Sequence, residues 1–147
     1  MGRQHILITQ SFNATVETIF NILTDHEAFG QVINAKIKRV VDCQGENKNG
    51  VGSVRRISAF PAPAFEETVI TFEPNQLMEY AISRGSPIKN HKGRMEFSEQ
   101  QGQTRLEYAI DFEPKLPFLL LGSILKKAIE KSINDGLQRL AKRYEIQ

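Results

Sequence analysis

The stretch that decides the fold is "LGSILKKAIEKSINDGLQRLAKRYE", residues 121–145. Leu121, Leu125, Ile129, Ser132, Ile133, Gly136, Leu137, Leu140 and Tyr144 recur at the three- and four-residue steps that share one face of an α-helix. The other face carries Lys126, Lys127, Glu130, Lys131, Asp135, Arg139, Lys142 and Arg143. Asp135 stands four residues before Arg139, a supportive acid-before-base pair. Pro117 suits a helix start, so the pattern predicts a final helix of about 25 residues.

Working backwards from that helix, the period changes to two. Strand-like segments cover 36–43, 51–60, 65–73, 77–84, 89–98 and 103–113. The turn signals "ENKNG", "PAP", "PNQ", "RGSP" and "QQGQ" separate them. Connections this short join antiparallel neighbours, which makes the segments a meander. Ahead of them "HILITQSF" (5–12) reads as a first strand. Val16, Ile19, Phe20 and Leu23 then form an amphipathic helix, with Asn13 as expected N-cap and Glu17 near the positive end of its dipole. A second short helix spans Glu27 to Val32. A sheet with one apolar face needs cover, and the final helix is long enough to supply it. The expected fold is α+β: a seven-stranded, curved antiparallel sheet around a long C-terminal helix, with two short helices after strand one.

The 147 residues, with no repeat or linker-like stretch, read as one domain over 1–147 that can bury a core without staples. A composition of 40% apolar and 24% charged residues is that of a globular protein. A net charge of +2 argues against nucleic acid as a partner. The single cysteine, Cys43, excludes an internal disulfide and fits a reducing, cytoplasmic location; it reads as a strand residue rather than a nucleophile. "MGRQHILITQSF" lacks the apolar core and cleavage site of a signal peptide, and Ile6 stands where a myristoylation motif wants Ser or Thr. The sequon Asn13-Ala14-Thr15 is therefore read as helix-start chemistry. The uncharged run from Leu116 to Leu125 is about half the ~20 residues needed to span a bilayer, so no transmembrane segment is expected.

Alternation assigns the faces of the strands. Leu106, Tyr108, Ile110 and Phe112 share one face; so do His91, Gly93, Met95 and Phe97; so do Met78, Tyr80 and Ile82. On 65–73, Ile70 and Phe72 take Glu66 and Thr68 to their side and leave Glu67 and Glu73 facing out. One of Arg55 and Arg56 must face inward, but alternation does not choose between them. The predicted inner face thus holds Glu66, His91, Tyr80, Tyr108 and an arginine. Buried ionisable groups require partners, so the set implies either a mutual network or a wet cavity, with a pocket favoured. Ser132 and Gly136 on the sheet-facing stripe indicate either close backbone approach to the sheet or room for a ligand; glycine there costs about 1 kcal/mol relative to alanine.

Taken in order, "ATVETIFNILTDHEAF", "NGVGSVRRI", "FEETVITFEPNQLMEYAISRGSP", "NHKGRMEF", "TRLEYAIDFEPKLP" and the final helix resemble the START-like superfamily, also called the SRPBCC or Bet v 1-like helix-grip group. The resemblance covers nearly the whole chain and is nearest to bacterial polyketide cyclase/dehydrase and lipid transport proteins. It implies a deep cavity between the sheet and the last helix, open near the hairpins, that binds hydrophobic or amphipathic molecules such as lipids, quinones, plant hormones or polyketides. Some members cyclise or dehydrate polyketides with cavity acids and bases; the group shares no common catalytic signature. The implied wall is Tyr80, Met95, Phe97, Tyr108, Ile110 and the helix stripe with Leu121, Leu125, Ser132 and Gly136. The implied polar spots are Arg55 or Arg56, Glu66 and His91.

His5, His26 and His91 are dispersed without metal-ligand spacing, so neither a metal nor a cofactor is expected. There is no P-loop, dinucleotide fingerprint or nucleophile elbow. The leading functional reading is a carrier, sensor or chaperone of a small hydrophobic molecule. The alternative is a polyketide cyclase or dehydratase with His91 as acid/base, an arginine holding a carbonyl or carboxylate, and Tyr80 or Tyr108 donating a hydrogen bond. A third is an interaction protein with a vestigial cavity. The run "FLLLGSIL" (118–125) reads as core cover, then as a pocket lid, then as a point of transient membrane contact. Oligomeric state is left open.

Overall fold

The structure is a computed structural model that describes residues 2–58, 63–115 and 121–145. The chain order is β1 (Gln4–Phe12), α1 (Val16–Thr24), α2 (His26–Ile33), β2 (Lys36–Val41), β3 (Val54–Ser58), β4 (Phe65–Glu73), β5 (Leu77–Arg84), β6 (Ile88–Gln100), β7 (Gln103–Pro114) and α3 (Gly122–Lys142). One antiparallel sheet runs β1-β7-β6-β5-β4-β3-β2. The α1–α2 pair therefore carries the chain from one edge of the sheet to the other, and α3 packs against both β1 and α2. This is the expected α+β arrangement.

Local chemistry accounts for the elements and corrects several expectations. The N-cap of α1 is Thr15, not Asn13: its hydroxyl accepts from the Thr18 N–H three residues on. The Glu99 carboxylate accepts from the Val16 N–H at 2.6 Å, placing an anion at the positive end of the helix dipole. Asn34, in the left-handed region at φ 59°, ends α2, and the Ala35 N–H returns to the Gly30 carbonyl at 2.8 Å. Gln101 and Gly102, both at positive φ, form the two-residue turn between β6 and β7. Cys43 lies beyond the end of β2, half-buried, where its sulfur accepts from the Gly45 N–H. Asp135 pairs with Lys131 at 2.7 Å rather than with Arg139, whose guanidinium reaches back to the Val32 carbonyl at 3.0 Å. The expected helix start at Pro117 and most of "FLLL" lie outside the described residues.

The core has two ends. Beneath α1 it is solid: Phe20 meets Phe72 and Phe97 edge-on with ring centroids 5.3 and 5.0 Å apart, and Met78, Met95 and Leu106 are fully enclosed. Beneath the N-terminal half of α3 it is hollow, lined by Tyr108, Ile110, Leu125 and Ile129 among others. The sequence alternation on β5, β6 and β7 gives the faces correctly, but says nothing about which inward position falls at which end.

Candidate functional site

The hollow end is a half-open, largely apolar cavity of about 380 Å³, within the range of roughly 300–1,000 Å³ that small-molecule sites occupy. Phe29, Ile33 and Ala35 from α2 and its exit form one side, Ile37, Ile57, Phe65 and Ile82 the sheet side, Pro87 and Ile88 one end. A second depression beside Asp25, Glu27 and Arg39 is shallow and open, and its arginine is already engaged: Arg39 bonds Glu27 at 3.0 Å and Asp42 at 2.7 Å.

At the floor of the cavity a polar cluster is built from five strands, β3 to β7. Arg55 on β3 is 1% exposed and sits opposite Glu67 on β4; its Nε donates to Glu67 Oε1 at 2.8 Å. Its guanidinium lies between two rings, 4.4 Å from the centre of Tyr80 and 5.0 Å from that of Phe29. Burial, the largest single influence, opposes the Arg55 charge, but the Glu67 carboxylate and the Tyr80 and Tyr108 hydroxyls together outweigh it and raise the Arg55 pKa further above its ordinary value. Arg55 Nη1 is buried with no hydrogen-bond partner among the described residues. Such an orphaned donor carries a penalty of about 1–3 kcal/mol, more for a charged group, until something accepts from it.

Tyr80 and Tyr108 are hydrogen-bonded hydroxyl to hydroxyl. Burial pushes both phenols up, so both are neutral hydrogen-bonding groups near neutral pH. Tyr80 can lie flat here because residue 93, opposite it on β6, is glycine; a Cβ there would stand 2.2 Å from the ring. His91, one inward position before Gly93, accepts at Nδ1 from the Ile82 N–H at 3.1 Å. That bond fixes the tautomer with its proton on Nε2, which points at Glu67 Oε2 from 3.7 Å. Burial lowers the His91 pKa, and Arg55 lowers it too, against the opposing pull of Glu67. With Nδ1 occupied, His91 presents a donor to the cavity and is poorly arranged to accept a proton.

Of the site residues expected from sequence, Arg55, Tyr80, His91, Tyr108, Ile110, Leu125 and Ser132 line this cavity. Arg56 and Glu66 do not: they pair with each other at 2.8 Å on the outer face of the sheet. The reason is a β-bulge. Ile70 has no partner on β5, where Val69 faces Tyr80 and Thr71 faces Glu79. The extra residue flips the alternation, so Phe72 and Val69 both point inward, Ile70 is 47% exposed, and Glu67 takes the inner place assigned to Glu66. Met95 and Phe97 face inward but fill the solid end beneath α1. Leu121 is 40% exposed and is not among the described residues that line this cavity. Gly136 marks close approach to α2, not to the sheet: a Cβ there would stand 2.4 Å from the Val32 carbonyl oxygen. Ser132 is bonded to the same helix end, donating to the Ile33 carbonyl at 3.0 Å. Sequence reasoning missed Glu67 and the α2 wall; the spacing of Phe29 and Ile33, one turn apart on a short amphipathic helix, was the available signal for the latter.

Among the described residues no group of three or more His, Cys, Asp or Glu side chains could hold a metal ion, and no helix is long and apolar enough to cross a membrane. The sequence model of the family described as "Polyketide cyclase / dehydrase and lipid transport" matches residues 3–145. No curated protein matches. Among solved structures, norcoclaurine synthase from Thalictrum flavum, in complex with dopamine and hydroxybenzaldehyde, is similar at 10% identity and TM-score 0.69, covering 99% of this chain and 90% of its own. The protein XoxI from Bacillus cereus is similar at 13% identity and TM-score 0.72, with 95% and 94% covered. Protein MLL2253 from Mesorhizobium loti is similar at 15% identity and TM-score 0.68, with 97% and 100% covered. At these identities the likeness is one of fold, the Bet v 1-like helix grip.

Proposed function

Since the chain belongs to the polyketide cyclase/dehydrase and lipid transport family, we propose that it binds one small hydrophobic or amphipathic molecule in the cavity between sheet and α3, as a carrier, sensor or chaperone of that molecule. The observation that carries this reading is a half-open, largely apolar cavity of about 380 Å³ lined in part by Arg55, whose buried Nη1 has no hydrogen-bond partner among the described residues. Apolar walls favour any greasy ligand of the right size, at about 25 cal/mol for each Å² of apolar surface removed from water. The Arg55 donor orients it. Arg55, Glu67, Tyr80, His91 and Tyr108 are the proposed polar contacts; Ile110, Leu125 and Ile129 belong to the proposed wall.

The test is native mass spectrometry of the freshly purified protein, followed by solvent extraction of any adduct. A stoichiometric adduct that disappears in Ile129→Trp, which fills the cavity from α3, supports the reading. A clean apo mass together with no thermal stabilisation by a broad panel of lipids and polyketides overturns it and favours an interaction protein.

One observation favours a second, enzymatic reading. Glu67 Oε2 accepts no hydrogen bond among the described residues and stands next to the Arg55 and His91 donors. That juxtaposition suits removal of a proton beside a polarised carbonyl, with Glu67 as base in place of His91. Turnover that survives His91→Gln but not Glu67→Gln, in folded variants, supports it; a ligand recovered unchanged from the wild type removes it.

A further inference from the structure

We infer that this cavity selects an uncharged ligand whose buried end carries an acceptor oxygen, a ketone, ester or quinone-type carbonyl, and rejects the carboxylate of the same chain length. The inference rests on the binding reading above and adds the charge and chemistry of the ligand head. An arginine in an apolar pocket at first sight argues for an anion. The charge count argues otherwise.

Arg55 and Glu67 are the formally charged residues among those lining the cavity, and they are joined at 2.8 Å. His91, held by the Ile82 N–H at Nδ1, is neutral, and both tyrosines are neutral and bonded to each other. The lining is thus electrically balanced before any ligand enters. A carboxylate would bring an uncompensated negative charge into a largely apolar site that the Glu67 carboxylate already lines. What the site lacks is a single acceptor: Arg55 Nη1 has no partner among the described residues, and His91 Nε2 stands 3.7 Å from Glu67 Oε2, too far for a good hydrogen bond. A carbonyl oxygen satisfies that need without adding charge. Sites whose polar groups would be left unpaired by the wrong ligand discriminate strongly.

The experiment compares methyl octyl ketone with decanoate by isothermal titration at pH 8, where the acid is ionised, on delipidated protein. The ketone should bind at least tenfold more tightly. Glu67→Gln keeps an acceptor for Arg55 Nε but leaves the lining with a net positive charge, so decanoate should gain at least tenfold in that variant and overtake the ketone. Equal or tighter binding of decanoate by the wild type overturns the inference and leaves the cavity-binding reading standing. Decanoate binding that Glu67→Gln, folded, does not improve also overturns it. Silence from both probes counts against the cavity reading itself and takes this inference with it. The wild-type comparison needs no variant, so a Glu67→Gln protein that does not fold does not remove the test.

Discussion

Replacing the Arg55–Glu67 pair tests the organisation of the interior most directly. Arg55→Met removes the cation and leaves the Glu67 carboxylate, its side chain 8% exposed, facing a neutral histidine. Breaking a buried pair from one side costs about 3–5 kcal/mol. For a chain of this size each kcal/mol moves the midpoint by about 2–4 °C, so Tm should fall by roughly 6–20 °C. Glu67→Leu should cost a similar amount, because the guanidinium loses its one anion while remaining wedged between Tyr80 and Phe29. The double variant Arg55→Met/Glu67→Leu removes both charges and should recover most of the loss, or exceed wild-type stability by about 1–4 kcal/mol. Urea unfolding of all four proteins, with a constant dependence on denaturant, closes the cycle. Additive single effects, or single effects below about 1 kcal/mol, would refute the claim that the two charges are desolvated together. Recovered stability combined with lost ligand binding would place the pair's value in recognition rather than in folding.

Three further outcomes are expected. Gly93→Ala drives a methyl into the Tyr80 ring and should break the Tyr80–Tyr108 bond, costing about 1–3 kcal/mol in urea; Tyr80→Leu added to it should restore most of that, and no restoration would disconnect the two residues. Gly136→Ala should destabilise by a similar amount despite alanine's better helix propensity, because the Cβ meets the Val32 carbonyl; a gain in Tm would show that α3 stands further from α2. Burial, helped by Arg55 and Arg39, lowers the pKa of His26 from 6.5 to about 3, and burial lowers that of His91 as well. For both the unfolded chain takes up the proton first as pH falls. Their neutral forms therefore support the fold fully above pH 6.5, and stability should decline below it by up to about 1.4 kcal/mol per pH unit for each group, His26's share continuing to about pH 3. His26→Asn should flatten that slope in chemical denaturation from pH 7 to 4; an unchanged slope would mean that His26 takes its proton in the native state.

Much of this fold was legible in the sequence because it is written in periods. The bounds of β4 and β5 coincide with the segments read from alternation, and the stripe of α3 from Leu125 to Tyr144 is the face that packs. The site was legible only in part. Tyr80, His91 and Tyr108 follow from parity alone, and they reach the cavity because their strands are regular where they enter it. Arg55 could not be told from Arg56, because "RR" on β3 faces "EE" on β4 and either parity gives two good cross-strand pairs. Met95 and Phe97 were assigned to the correct face but the wrong end, since period two records inside and outside and carries no depth. For Gly136 the sequence offers the sheet or a ligand as the close neighbour, because nothing in a helical stripe says that a second helix, α2, will reach it first.

The unpaired Ile70 has a bearing on how residues of this chain can be matched to those of its relatives. The bulge makes the count of residues in β4, as much as their identity, decide which carboxylate is inside. Deleting Ile70 would leave a straight ladder with Glu67 still inside, whereas straightening the ladder with Ile70 kept would bring Glu66 in and turn Glu67 out. In a relative whose strand keeps the same length but whose ladder is unbroken, an aligned column headed by Glu66 or Glu67 exchanges its meaning with its neighbour. Binding roles on this strand therefore transfer by three-dimensional register and not by alignment column, and a shift of register here rewrites the chemistry of the interior without substituting any residue that touches it.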